Sequence, residues 1–174
     1  MTNKSYAVFA EYAKESRPML TGWNTRVFNT LETDSGSDIH LGEDGIITLE
    51  PGTYHIVASS LVTYLPDDFS GEDGGDDSST SEKPEGWPHP GYCELRELVP
   101  GVERAWITTG TMCNASYLGA SLVDTYYTAA ARCQIFVTHQ IGGEDWHVED
   151  VYLQFHGGNA STNHVMARIS IEKL

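Results

Sequence analysis

The sequence predicts an all-β fold, a sandwich or barrel of about ten strands. Three observations carry that reading. Apolar and polar residues alternate with period two along most of the chain, which is the signature of strands with one buried face. Turn residues interrupt these runs at short intervals, as in sandwiches and barrels. No apolar pattern of helical period persists beyond a turn or two.

Taken in order, Tyr6–Ala13 is the first strand candidate, followed by Arg26–Leu31 and Ile46–Glu50. Pro51-Gly52 then reads as a type II turn, with proline fixing φ and glycine supplying the positive φ at the next position. The strand after it is long. Tyr54, Ile56 and Ala58 point one way, and Thr53, His55, Val57 and Ser59 the other. Cys93 and Leu95 alternate with Glu94 and Arg96. Ala105–Thr109 and Leu122–Thr128 follow. Cys133, Ile135 and Val137 alternate with Gln134, Phe136 and Thr138. Val151–Phe155 precedes a last run in which Val165, Ala167, Ile169 and Ile171 oppose Met166, Arg168, Ser170 and Glu172.

One segment breaks the rhythm. Leu65–Pro90 holds eight acids against Lys83 alone, −7 of a total of −15. It is too polar and too rich in Gly, Ser and Pro for a strand, so it is read as a long acidic loop insertion. Clustered carboxylates suit a hard cation. If an ion binds there it is expected to be calcium, with Asp67, Asp68, Asp73, Asp76 and Asp77 as ligands. No other cofactor is expected.

The charge of −15 repels phosphate backbones, which argues against a nucleic-acid partner. No apolar run reaches the length of a membrane span, so membrane insertion is not expected. The N-terminus carries no signal-peptide pattern. Cys93, Cys113 and Cys133 form no CxxC pair and read as reduced thiols of the core. There is no Gly-x-Ser-x-Gly elbow, P-loop or dinucleotide fingerprint. His55, after Gly45 and Pro51-Gly52, resembles half of a cupin metal motif. The spacing departs from that motif and no His-x-His follows, so His55 reads as a strand residue and an enzyme is not expected.

Further residues resemble a known family. Gly52-Thr-Tyr-His-Ile-Val-Ala-Ser-Ser60 is similar to the strand after a Pro-Gly turn in the globular head of the complement one-q family, which shares its trimeric jelly roll with tumour necrosis factor. Trp23-Asn-Thr-Arg-Val-Phe-Asn29 resembles its early strand ending in Phe-Asn. Tyr92-Cys-Glu-Leu-Arg-Glu-Leu98, Ser121–Tyr127, Cys133–Gln140 and Val165–Leu174 resemble later strands. The resemblance implies one jelly-roll β-sandwich over residues 1–174 and a homotrimer. It is closest in character to bacterial and bacteriophage heads. It therefore implies a structural or adhesive module of a virion, made in the host cytoplasm, that decorates a capsid or binds a receptor. Its partner would be a capsid or tail protein, or a host-surface receptor or carbohydrate. The alternative is a lectin-like or receptor-ligand module from a bacterium. Trp87, His89, Trp146 and His147 are the candidate partner-binding residues, as aromatics and histidines in loops.

The same strands carry apolar or aromatic residues on both faces: Phe136 opposes Ile135 and Val137, and Tyr126 opposes Tyr127. A solvated sheet face is normally polar, so a second buried surface is expected.

Overall fold

The computed structural model describes residues 4–64, 90–114, 120–141, 151–154 and 164–174. Asp67, Asp68, Asp73, Asp76, Asp77, Trp87, His89, Trp146 and His147 all lie outside the described residues.

Every described element is a strand. They are β1 (Tyr6–Tyr12), β2 (Arg17–Pro18), β3 (Asn24–Thr25), β4 (Thr30–Ser35), β5 (Ile39–Leu41), β6 (Ile47–Leu49), β7 (Gly52–Leu61), β8 (Thr63–Tyr64), β9 (Pro90–Glu97), β10 (Ala105–Thr109), β11 (Cys113–Asn114), β12 (Ala120–Ala129), β13 (Cys133–Ile141), β14 (Val151–Gln154) and β15 (Val165–Lys173). A five-stranded sheet runs β12-β7-β15-β1-β4. A seven-stranded sheet runs β10-β9-β13-β6-β5, with β11 beside β9 and β3 beside β13. A small sheet, β2-β14-β8, lies at one end. All the pairings are antiparallel. The count exceeds the expected ten because β2, β3, β5, β8 and β11 are only two or three residues long. Pieces that short carry no readable alternation.

The core lies between the two large sheets. Phe9, Tyr54, Ile56, Ala58, Ile169 and Ile171 come from one sheet. Ile47, Leu49, Cys93, Leu95, Ile135 and Val137 come from the other. All are buried, at about 1.5–3 kcal/mol for each large apolar side chain removed from water. A second cluster of Met19, Val62, Ile141, Val151 and Leu153 fills the end beneath the small sheet.

Arg26 sits between the two clusters with no exposed surface. Its Nε donates to Ser60 Oγ at 2.8 Å and its Nη1 to Leu153 O at 2.7 Å. Its Nη2 donates to Leu61 O. Glu11, also fully buried, lies 3.6 Å from Nη1 and accepts from Arg17 at 3.0 Å. Burial pulls the Arg26 guanidinium down to about 10, still far above neutrality, so the charge persists. A buried charge is tolerable only when its donors are satisfied, and Ser60, Leu61, Leu153 and Glu11, four groups from three strands, converge on it.

Two sequence expectations need correction. Arg26–Leu31 is not one strand. The Arg26 N–H bonds Val137 O at 2.8 Å, alongside β13 in the seven-stranded sheet. By Asn29 the chain has reached β1: the Asn29 N–H bonds Ala10 O, and its side chain both accepts from Tyr12 N and donates to Tyr12 O. The segment crosses between sheets, with Phe28 buried in the core on the way. Gly52 does not supply a positive φ either; it opens β7 as an extended residue. A Cβ there would meet Lys173 Cε at 2.4 Å, a contact the flexible lysine end relieves by shifting. The positive-φ glycine nearby is Gly45 (φ 81°) in the β5–β6 turn, where a Cβ would lie 2.6 Å from Arg26 O.

Candidate functional site

The outer face of the five-stranded sheet presents Thr53, His55, Val57 and Ser59 from β7, and Leu122, Asp124, Tyr126 and Thr128 from β12. Their inward neighbours Tyr54, Ile56, Ala58 and Val123 are buried. Register places Tyr126 opposite His55 on one side and Glu172 opposite it on the other. The His55 imidazole stacks on the Tyr126 ring, with centroids 4.8 Å apart and planes 20° from parallel. Its Nε2 meets Asp124 Oδ1 at 2.7 Å. His55 is therefore the strand residue the alternation predicts. Among the described residues, no group of three or more His, Cys, Asp or Glu is placed to hold a metal.

Among its polar residues this face leaves several large apolar or aromatic side chains open. Tyr126 is 69% exposed, Leu122 52%, Tyr6 41% and Val57 40%. Trp106 on β10 and Met112 beyond it are exposed as well, and β10 and β12 each end their sheet. Tyr126, one of the residues that pointed to a second buried surface, is thus open in the single chain. Phe136, the other residue that pointed to it, is only half-buried and lies on the opposite sheet.

The outer face of the seven-stranded sheet is built differently. Glu94 and Arg96 point away from the core partners Cys93 and Leu95, yet both are buried. The half-buried Trp23 covers them, with the Arg96 guanidinium carbon 4.1 Å from its ring centroid and that of Arg104 at 5.3 Å. Tyr92 meets Trp23 edge-on at 5.4 Å. Glu94 accepts from Arg96 Nε at 2.8 Å and from both Nε and Nη2 of Arg104. The carboxylate holds the Arg104 charge firmly, raising its already high pKa. Nothing in the alternation singles out this cluster, because Trp23 reaches it from a distant part of the chain.

Two other arrangements have the residue types of chemistry without the access. Ser60 Oγ and His139 Nδ1 are 2.8 Å apart. Ser60 Oγ also accepts from Arg26 Nε, and the far imidazole nitrogen, Nε2, faces Cys113 Sγ at 3.8 Å. Both residues are fully buried, and burial drives the His139 pKa down to about 3. Burial also pushes the Cys113 thiol up to about 11, so it is not a thiolate near neutrality. At one end of the sandwich a depression of about 430 Å³ is lined by Glu97, Leu98, Arg132 and Cys133 among others. Its groups are spent on neighbours: Tyr127 donates to Glu97 at 2.9 Å, and Arg132 pairs with Glu50 at 3.4 Å.

No protein-family model matches the sequence, and no curated protein matches it. Solved structures do match the fold. The crystal structure of murine APRIL at pH 5.0 superposes with a TM-score of 0.58 at 8% identity, over 98% of this chain and 99% of that one. The pH 8.0 structure gives 0.53 at 8% identity, over 99% and 98%. The chain has a tumour necrosis factor-like jelly roll. At 8% identity this likeness concerns the fold alone. It agrees with the jelly roll that the sequence resemblance implies and does not extend to a bacterial or bacteriophage type.

Proposed function

We propose that the chain is a non-enzymatic binding head, a receptor-ligand module that works as a homotrimer. The observation that carries this is the exposed apolar surface around Tyr126. A free antiparallel face is polar on its solvent side, whereas this one shows Tyr6, Val57, Leu122 and Tyr126, and Trp106 and Met112 continue it around the β10 edge. Face and edge are different surfaces of one protomer. Pairing the edge of one copy with the face of the next is a heterologous contact, which makes a closed ring when the rotation permits. Three is the number the family resemblance implies.

The fold likeness is to receptor-ligand proteins of the tumour necrosis factor superfamily. It lends no support to a role on a phage-like particle, so of the two expected functions the receptor-ligand one is preferred. The buried Ser60–His139 pair supports the non-enzymatic part, since no substrate reaches either group. Sedimentation velocity at micromolar concentration tests the assembly. A species of three times the chain mass is the expected result, and a stable monomer overturns it.

A further inference from the structure

We infer that assembly through the face around Tyr126 is proton-linked: the His55–Asp124 pair takes up a proton as a second copy covers it, so acid strengthens the trimer. The inference rests on the trimer reading above and adds a regulator to it.

Two strands flank β7 at His55. From β12, Asp124 Oδ1 meets His55 Nε2 at 2.7 Å, and the Tyr126 ring lies against the imidazole. From β15, Glu172 stands opposite His55 in register. Lys4 holds Glu172 at 3.2 Å, and Tyr6 on β1 pairs with it in register. Lys173, next along β15, bonds Asp38 and lies over the Tyr54 ring. Arg168, further along β15, gives both prongs to Glu32. Of the two carboxylates beside His55, Glu172 therefore has a cation of its own. Asp124 has only the imidazole among the described residues.

That difference matters once the face is covered. In a single chain the Asp124 side chain is 72% exposed, and water screens its charge. Against a neighbouring copy, the carboxylate beside a neutral imidazole brings a net negative charge into a low-dielectric contact. One added proton removes that charge, whether it sits on the imidazole or on the carboxyl. Histidine is the side chain whose charge ordinarily changes between about pH 5 and 8. A closed trimer repeats the pair in every copy, so it binds more protons than the separate chains do. The sign follows: assembly strengthens as pH falls. The stack makes the coupling local, because the imidazole is held on the same Tyr126 ring that the next copy covers.

The test measures assembly of the intact chain by sedimentation with fluorescence detection, down to nanomolar concentration, between pH 8 and pH 6. The concentration at half-assembly is expected to fall roughly tenfold or more over that span. Calorimetric dilution of the trimer in buffers of different ionisation heat should show the release of about one proton per chain. General loss of negative charge in acid also eases association. His40→Gln, at an exposed position on the other sheet, is therefore the control and should keep the slope. His55→Gln and Asp124→Asn should flatten it. The readout is the slope with pH, so a variant that assembles more weakly still reports. If the trimer survives at nanomolar concentration, exchange of labelled subunits gives its dissociation rate, which should fall with pH in the same way. A trimer of equal strength at both pH values overturns the inference, as does a slope that His55→Gln keeps. A monomer at every pH overturns the trimer reading itself, so the two failures are told apart.

Discussion

The outer faces of the two large sheets solve the same problem in opposite ways. On the seven-stranded sheet, Glu94 and Arg96 point outward and are covered by the chain itself, through Trp23 and Arg104. On the five-stranded sheet, Val57, Leu122 and Tyr126 point outward and remain uncovered. The first face is polar and closed; the second leaves large apolar side chains open among polar ones. Burial is thus no guide to polarity on the outside of this sandwich. On the proposed reading, a second copy covers the face that stays open.

That contrast is broken most sharply at Tyr126. Tyr126→Glu should turn the proposed trimer into a folded monomer, because a carboxylate trapped in an apolar interface costs several kcal/mol. Sedimentation should show a threefold drop in mass while the far-ultraviolet dichroism is kept. Glu94→Ala should do the reverse. It leaves the buried Arg96 charge without its carboxylate and should cost about 3 kcal/mol of stability. Urea unfolding should show the loss, with the assembly mass unchanged.

Acid separates the interior from both faces. His139 is held neutral by burial, with its folded pKa lowered to about 3 from the ordinary 6.5. The unfolded chain therefore binds the extra proton first. Its contribution is fully present above pH 6.5 and is lost as pH falls toward 3, at up to about 1.4 kcal/mol per pH unit. The depressed carboxyls of Asp38 and Glu32, each held down by a cationic partner, begin to titrate only below their ordinary range. In His139→Gln the fall in thermal midpoint between pH 6.5 and 5 should flatten. The smallest effect is expected at His55→Ala. A single surface hydrogen bond to Asp124 is worth about 0.5–1.5 kcal/mol, so monomer stability measured in the Tyr126→Glu background should change little.

The sandwich was legible where one side of a strand is core and the other is not. β7, β12 and β15 extend the predicted runs by a residue or two at either end and β13 by three, and their core residues, such as Tyr54, Ile56 and Ile135, fall on one side of the alternation. β10 matches its predicted span. Legibility failed where the chain leaves one sheet for the other. Arg26–Leu31 has the composition of a strand, but Arg26 is spent on the polar interior and Phe28 on the crossing. It also failed at Glu94 and Arg96, since alternation places both on the outer face and says nothing of a tryptophan some 70 residues earlier covering them. The Tyr126 surface was legible as an excess of apolar residues over one core. Its pairing with His55 and Asp124 depends on register, which single-strand patterns do not encode.

β15 lies at the centre of the five-stranded sheet, with β1 on one side and β7 on the other. Its Ile171 pairs with Ala7 and with Ile56. During synthesis β1 and β7 therefore leave the ribosome long before the strand that joins them. At about 5–20 residues per second, β1 waits roughly 8–30 s for its neighbour. For that interval the nascent chain exposes Phe9, Tyr54 and Ile56 with two unpaired strand edges. Chaperone dependence should therefore track translation speed across the intervening segment more than the stability of the finished fold.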